Sequence, residues 1–327
     1  MLFFKTKKEE DPYYKIWKSD KWLHPIENAD KFRFPMTITS EPTNYCTNKC
    51  LFCSRQLMKR ELGYMTLECM ENLIRECSKH GAAVRHGGMG EPLMHPQIEE
   101  MVALSNKYKV LTTIFTNGTN LTEENARSFI GNGLDEMRFS SSGISAEVHN
   151  FIREGSDYKK DFDEKLKMVH RLKKEMKSNK PYLTVYATVL DYKDETFRAN
   201  IDRYVKYYLN YVDKVDIDLT GFSRVKHLYH AKDLYKKQTI RKRKRCLDLF
   251  LKLIVHWNGD FFVCDRLWDY EETYFLGNLN KGQKIEDGWK SEKIKKLRNE
   301  LSFDTNHENY SLCKDCFSNT NKWENKN

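Results

Sequence analysis

The sequence predicts an α/β protein, a partial (β/α)6 barrel of the TIM type followed by a small cysteine-bearing C-terminal domain. Three observations carry that expectation. Short β-rich segments alternate with helical ones through the first two-thirds of the chain, the pattern of parallel βα units. Short motifs with chemical character stand directly after those β-rich segments. Beyond them the alternation stops, and cysteines return in pairs.

Six strands are predicted: Met36 to Glu41, Ala82 to His86, Val110 to Phe115, Glu136 to Ser140, Tyr182 to Val189 and Lys214 to Leu219. Between them, Leu67 to His80 places Leu67, Met70, Ile74 and Cys77 at helical spacing, and Gln97 to Tyr108 is a second helix, opened by His95-Pro96. Thr122 is the expected N-cap of a helix running to about Phe129, which Gly131 and Gly133 end. Six units are too few for a closed eight-stranded barrel, yet parallel strands still gather the loops at their C-terminal ends on one face. The expected divisions are an N-terminal extension over 1–34, the barrel over 35–230 and a C-terminal domain over 231–327, with the Lys-rich segment from about Ala231 to Arg245 as the boundary. In the extension, Tyr13, Ile16 and Trp17 have the i, i+3, i+4 spacing of an amphipathic helix, expected to pack on the outside of the barrel.

A chain of 327 residues with 39% apolar side chains can bury a substantial core. Its longest apolar runs, such as Leu249 to His256, are interrupted by Lys252 and fall well short of the ~20 residues that cross a bilayer. The N-terminus sets apolar residues before its lysines and then meets Glu9, Glu10 and Asp11, the wrong order for a secretory signal, so a cytoplasmic location is expected. Nine cysteines are an odd number, and seven stand at spacings typical of metal ligands, which fits a reducing compartment better than a disulfide framework. The net charge of +9 goes with a Lys- and Asn-rich composition. The run Arg241-Lys242-Arg243-Lys244-Arg245 before Cys246 is open to two readings, a solvated loop or a phosphate contact beside a metal site.

Thiolates select zinc, copper(I) or iron–sulfur clusters, and Cys46-x3-Cys50-x2-Cys53 places three on one tight loop after the first strand. A structural zinc wants four ligands, and the next cysteine, Cys69, sits at core spacing on a helix together with Cys77. A [4Fe–4S] cube held by three thiolates leaves one iron open to a small molecule. Cys46-x3-Cys50-x-Phe52-Cys53 resembles the signature of the radical SAM superfamily, in which that iron chelates S-adenosylmethionine (SAM). Glu41-Pro42-Thr43-Asn44-Tyr45-Cys46 resembles the subgroup with a C-terminal SPASM or Twitch extension. The resemblance implies reductive cleavage of SAM to methionine and a 5′-deoxyadenosyl radical that takes a hydrogen from substrate, with flavodoxin or ferredoxin as electron donor.

The other strand-end loops extend the resemblance. Gly88-Met89-Gly90-Glu91-Pro92 is similar to the family's glycine-rich motif, which implies Gly88, Gly90 and Glu91 at the methionine amino group of SAM. Thr116-Asn117-Gly118 matches the family's Thr-Asn-Gly and implies a SAM contact at Asn117. Ser140 and Arg153 fall where the family contacts the SAM carboxylate, and Phe52 where it packs near adenine. Relatives read Ser-x-Asp-Gly where this chain has Ser140-Ser141-Ser142-Gly143, and Ser142 cannot replace an Asp charge.

Toward the C-terminus, Cys246 and Cys264 and then Cys313-x2-Cys316 supply four thiolates, enough to close a zinc site or a second cluster. The spacing resembles the Twitch form, which implies one auxiliary [4Fe–4S] cluster; Leu276-Gly277-Asn278, Trp289 and Arg298 also stand where such chains carry those residues. Asp265 and Arg266, beside a cluster ligand, are candidates for a proton acceptor and an anion contact, against the alternative of a plain surface pair. By resemblance to chains of this layout, the substrate expected is a small polar molecule, anionic or nucleotide-linked, such as a sugar or aminocyclitol, undergoing oxidation or epimerisation. A ribosomal peptide is the alternative, set second because only about 34 residues precede the first strand, below the ~40 at which domains usually fold alone. From another class, a zinc-stabilised nucleic-acid-binding protein would use the +9 charge, but a parallel β/α architecture and a three-thiolate loop oppose it.

Overall fold

The computed structural model describes residues 2–5, 11–13, 33–189, 195–218, 246, 248–301 and 309–313. An opening strand, β1 (Leu2–Lys5), precedes β2 (Thr37–Ser40), and a two-residue strand, β3 (Lys49–Cys50), lies in the cysteine loop. The alternation then runs α1 (Leu67–His80), β4 (Ala83–His86), α2 (Ile98–Lys107), β5 (Thr112–Thr116), α3 (Glu123–Gly131) and β6 (Glu136–Ser142). After α4 (Ala146–Ile152) and β7 (Arg153–Glu154) it resumes with α5 (Glu164–Glu175), β8 (Tyr182–Thr188), α6 (Glu195–Tyr208) and β9 (Lys214–Asp218). The six strands expected from the sequence are β2, β4, β5, β6, β8 and β9, each within two residues of its expected ends.

Local chemistry explains the boundaries. Thr66 caps α1 by accepting from the Cys69 amide, and Gly81 closes it in the left-handed region. Thr122 and Asn125 form a reciprocal capping box at the start of α3. That helix passes Phe129 and takes in Gly131, and Asn132 caps it. Cys69 and Cys77 are fully buried core residues.

The C-terminal part does not leave the sheet. After α7 (Asp248–Leu251), β10 (Lys252–Val255) pairs in parallel with β2, and β11 (Asp260–Phe262) and β12 (Phe275–Asn278) follow antiparallel. The sheet order is β1-β9-β8-β6-β5-β4-β2-β10-β11-β12, so β10 adds a seventh parallel strand where the sequence suggested that the alternation had ended. Too few residues separate α7, β10 and β11 for a βα rhythm to show in the sequence. Leu253 and Val255 of β10 join the main core, and Ile254 points the other way into a second core that α9 (Glu292–Leu301) covers with Ile294, Leu297 and Leu301. Between them, α8 (Ile285–Lys290) sets Trp289 fully buried in the main core, with the Arg298 guanidinium carbon 4.3 Å from its ring centroid.

Alternation divides the barrel strands into two faces. Ile38, Val84, Ile114, Met137, Phe139, Val185, Val215 and Ile217 pack outward in the main core. The opposite face, the lumen, carries Arg85, Thr113, Glu136, Arg138, Thr184, Tyr186, Lys214, Asp216 and Asp218. Layers of apolar side chains fill the usual TIM barrel; here a hydrogen-bonded polar network takes their place. Arg138 Nε donates to Glu136 at 2.9 Å, Lys214 Nζ lies 2.9 Å from Asp216, Thr184 Oγ1 donates to Glu136 at 2.8 Å, and Tyr186 donates to Asp218.

Tyr13 closes the floor of this lumen, which corrects the expectation that it packs outside. It is buried, and its hydroxyl lies 2.6 Å from Thr113 Oγ1, which donates to Glu136 at 3.0 Å. Ile16 and Trp17 lie outside the described residues. The polar floor explains the placement, since a tyrosine offers both an apolar body and a hydroxyl for the lumen network. Tyr13→Ala is expected to cost about 3–5 kcal/mol, as for an aromatic removed from a core. Tyr13→Phe should cost only about 1 kcal/mol. Urea unfolding midpoints decide, and equal midpoints for wild type and Tyr13→Ala would contradict the plug.

Candidate iron–sulfur and SAM site

The cysteine loop is held by backbone and amide contacts of its own. Asn44 Nδ2 donates to Glu61 O at 2.8 Å, its Oδ1 accepts from Gly63 N at 2.9 Å, and Arg55 Nε donates to Asn44 O at 2.8 Å. β3 pairs antiparallel with β7 and sets Cys50 opposite Arg153. Cys50 is buried, and Cys46 and Cys53 are half-buried. Burial first, then the Glu91 carboxylate, pushes the Cys46 thiol up to about 12, with Cys50 and Cys53 as further neighbours that raise it.

These residues fit a cluster. Among the described residues, no three His, Cys, Asp or Glu side chains close on a single metal ion. A cube attaches each thiolate to a different iron, so its ligands stand farther apart than those of one zinc. A buried thiol of raised pKa becomes a thiolate only when a metal supplies the opposing charge. Two donors already face the sulfurs, Asn117 Nδ2 at 3.9 Å from Cys46 and Arg153 Nη1 at 3.9 Å from Cys50.

The glycine-rich loop docks on the cysteine loop. Glu91 N donates to Tyr45 O at 2.7 Å, and a Cβ on Gly90 would stand 2.0 Å from Thr43 O, so no other residue fits there. Gly88 has a φ of +92°. Glu91 accepts from Thr116 Oγ1 and Asn117 N, each at 2.7 Å, and ties the second strand end to the third. Burial raises Glu91 to about 7 against these hydrogen bonds and the pull of Arg153.

Arg153 is buried between the cysteine loop and the end of β6. Its Nε donates to Ser142 Oγ at 2.9 Å, its Nη2 lies 3.4 Å from Ser141 O, and its guanidinium carbon is 5.5 Å from the Phe52 ring centroid. Ser142 thus holds this arginine by a neutral bond, and the carboxylate that feels its charge is Glu91. Ser140 is half-buried on the lumen face, two positions before Ser142. No motif pointed to His149, whose Nδ1 accepts from Ser142 N at 3.3 Å and whose Nε2 lies 3.3 Å from Ser156 Oγ.

Of the later cysteines, Cys246 and Cys313 pack against the second core, Cys264 follows β11, and Cys316 lies outside the described residues, as does the run from Arg241 to Arg245. Asp265 and Arg266 are half-buried, not a plain surface pair: Arg266 Nε stands 3.9 Å from Asp248, which Lys252 meets at 2.9 Å.

A buried hub joins these parts. Glu41, fully buried at the end of β2, receives both terminal nitrogens of Arg60, with Nη1 at 2.6 Å from Oε1, and accepts from Met89 N at 3.2 Å. Arg60 Nε donates to Trp268 O at 2.8 Å, and Asp269 accepts from the Lys59 and Arg60 amides at 2.9 and 3.1 Å. The cysteine loop, the glycine-rich loop and the loop after Cys264 therefore share one ion pair. Sequence spacing carries no signal for it, because Arg60 lies in an irregular segment.

A partial parallel barrel with three thiols at its first strand end and a glycine-rich loop at its second is the scaffold of a SAM-cleaving iron–sulfur enzyme. The radical SAM superfamily model matches residues 40–197, the SPASM iron–sulfur cluster-binding domain matches residues 246–317, and the chain belongs to the radical SAM enzymes with a C-terminal SPASM domain. Its cofactors are accordingly SAM and [4Fe–4S] clusters. It is 25% identical over 314 residues to the tungsten-containing aldehyde ferredoxin oxidoreductase cofactor-modifying protein of Pyrococcus furiosus, covering 84% of this chain and 85% of that one. It is 28% identical over 119 residues to mycofactocin maturase MftC of Mycobacterium tuberculosis, a match over 36% of this chain and 30% of the maturase. Among solved structures, BtrN in complex with AdoMet and 2-DOIA superposes with a TM-score of 0.55 at 18% identity, covering 86% of this chain and 92% of that one. Streptococcus suis SuiB bound to precursor peptide SuiA gives 0.59 at 16% identity, covering 93% and 75%. No described helix is long and apolar enough to cross a membrane.

Arg60→Ala leaves the Glu41 charge buried without its partner and is expected to cost about 3–5 kcal/mol in unfolding measurements. Arg60→Lys should recover only part of this, lacking the paired donors; full recovery would show that charge alone suffices. Acid has its own effect. Burial lowers His86 and His149 to about 3 and His256 to about 4, from 6.5. Below pH 6.5 the unfolded chain binds protons that the native rings refuse, so stability falls as pH drops toward those values. Unfolding midpoints between about pH 7 and pH 5 should decline, less steeply in His256→Gln; a flat profile would contradict neutral burial.

Proposed function

We propose that this radical SAM enzyme is a maturase that removes a hydrogen from a ribosomally made peptide. The observation that carries it is the similarity to a mycofactocin maturase; the fold shared with a SuiB structure holding its precursor peptide agrees. This reverses the order of substrates expected from the sequence, in which a small polar molecule came first. The polar lumen still favours that molecule as the second reading, since hydroxyl groups need hydrogen-bonding partners once out of water.

When bound, SAM and the reduced cluster supply the 5′-deoxyadenosyl radical, and a fully ligated auxiliary cluster supplies an electron acceptor, so dehydrogenation is the proposed chemistry. Cys46, Cys50 and Cys53 would hold the first cluster, and Cys246, Cys264, Cys313 and Cys316 the second. Gly88 and Gly90 let backbone approach SAM, while Glu91 and Asn117 offer a carboxylate and an amide beside Cys46. Arg153, held by Ser142 through a neutral bond, would offer its charge to the SAM carboxylate with Ser140 below it, and Phe52 covers the guanidinium. Asp265 would take the substrate proton, with Arg266 steering an anionic group. The electron donor proposed is a flavodoxin or ferredoxin.

Anaerobic protein should be brown, with roughly eight irons per chain. Cys50→Ala should abolish 5′-deoxyadenosine formation, whereas Cys313→Ala should keep uncoupled cleavage and lose turnover. Precursor-peptide and carbohydrate pools, compared by stimulation of that cleavage and by mass change, separate the substrates. Turnover of a carbohydrate with silent peptides would overturn the peptide reading.

A further inference from the structure

Among the described residues, one lumen cation has no hydrogen-bonding carboxylate. Arg138 and Arg85 both lie over Phe115, their guanidinium carbons 5.3 and 4.8 Å from its ring centroid. Otherwise they differ. Arg138 is occupied by Glu136 at 2.9 Å and Asp216 at 3.4 Å. Arg85 has no hydrogen-bonding carboxylate among the described residues. Besides Arg138 on the same ring, its charge is felt by the Tyr13 phenol on the floor and by Lys252 on β10, whose own ammonium is matched by Asp248 at 2.9 Å.

Stability alone does not call for this arrangement. A half-buried guanidinium with no carboxylate on its donors gains when an anion arrives. Stacked on an aromatic face, its donor fork is oriented before any ligand binds. Its position also suits a substrate. Arg85 lies three residues before Gly88, and Phe115 directly precedes Thr116-Asn117, so both stand just below the loops assigned to SAM. Gly87 puts no side chain over the ring, which a Cβ there would approach to 3.7 Å.

We propose that Arg85, with Phe115 as its platform, anchors a carboxylate of the substrate in the barrel lumen. This rests on the lumen being the substrate chamber of the reaction proposed above, with Asp and Glu side chains of a peptide as one source of the carboxylate and a free organic acid as the other. A carboxylate fits the planar fork in two parallel hydrogen bonds, and those bonds would be charge-assisted on both sides. Anchored there, the substrate reaches from mid-lumen toward the strand ends, where the radical is formed.

Succinate and its neutral isostere succinamide, titrated by NMR against reconstituted holoenzyme holding SAM, test the anchor without knowledge of the substrate. Wild type should bind succinate saturably and succinamide at least about tenfold more weakly; Arg85→Gln should lose about tenfold or more in succinate affinity and Arg85→Lys less. Equal affinities in wild type and Arg85→Gln, or no saturable succinate binding to wild type, would overturn the proposal. If Arg85→Gln fails to retain iron, the succinate-to-succinamide ratio in Arg85→Lys, expected to shrink but stay above one, decides in its place. A second arm identifies the source. Peptides with Asp and Glu that stimulate 5′-deoxyadenosine formation more than their Asn and Gln counterparts, in wild type but not in Arg85→Gln, assign the carboxylate to a peptide. Stimulation by free acids with silent peptides would sink the peptide reading and leave the anchor standing.

Discussion

The ion pair between Glu41 and Arg60 is the contact on which the arrangement of the site depends. Glu41 ends the first strand of the barrel, fully removed from water, and a carboxylate there is tolerable only with a guanidinium and amide donors around it. Its donors are Arg60 behind the cysteines and the Met89 amide in the glycine-rich loop, and Arg60 in turn donates to Trp268 O and Asp269 of the C-terminal part. Meeting one buried charge thus fixes the mutual position of the two cysteine-bearing regions. Removing one partner of such a pair is costly because the other charge stays buried.

The second constraint is the polarity of the barrel lumen. A closed barrel of this size fills with branched apolar side chains, but here the outward faces of the strands carry the core and the inward faces carry charge. Glu136, Arg138, Asp216 and Lys214 satisfy one another, and Tyr13 seals them from below. Balanced charges low in the lumen leave Arg85, among the described residues, without a hydrogen-bonding carboxylate.

The loop motifs were legible because each ties a residue type to a local need. Three thiolates at that spacing suit iron, glycine is required where Gly90 meets the Thr43 carbonyl, and Thr122 caps a helix. The six parallel strands were legible because an apolar face repeats every second residue. Legibility failed where a residue's role depends on a partner far along the chain. Arg60 meets Asp269 from 209 positions away, and Tyr13 meets Thr113 from 100. The seventh parallel strand was hidden for a related reason, since β10 is identified only by pairing with β2.

By itself, then, the sequence determined the class of chemistry, because ligand type, spacing and position after a strand are local properties that hold in any fold placing those loops at strand ends. Tertiary structure decided which charges are cancelled. Ser142 became the partner of Arg153, Asp265 and Arg266 came to lie beside Asp248, and Arg138 took two carboxylates where Arg85, among the described residues, took none. Electrostatic energy depends on distance through space and on removal from water, and neither quantity is written in the order of residues along the chain.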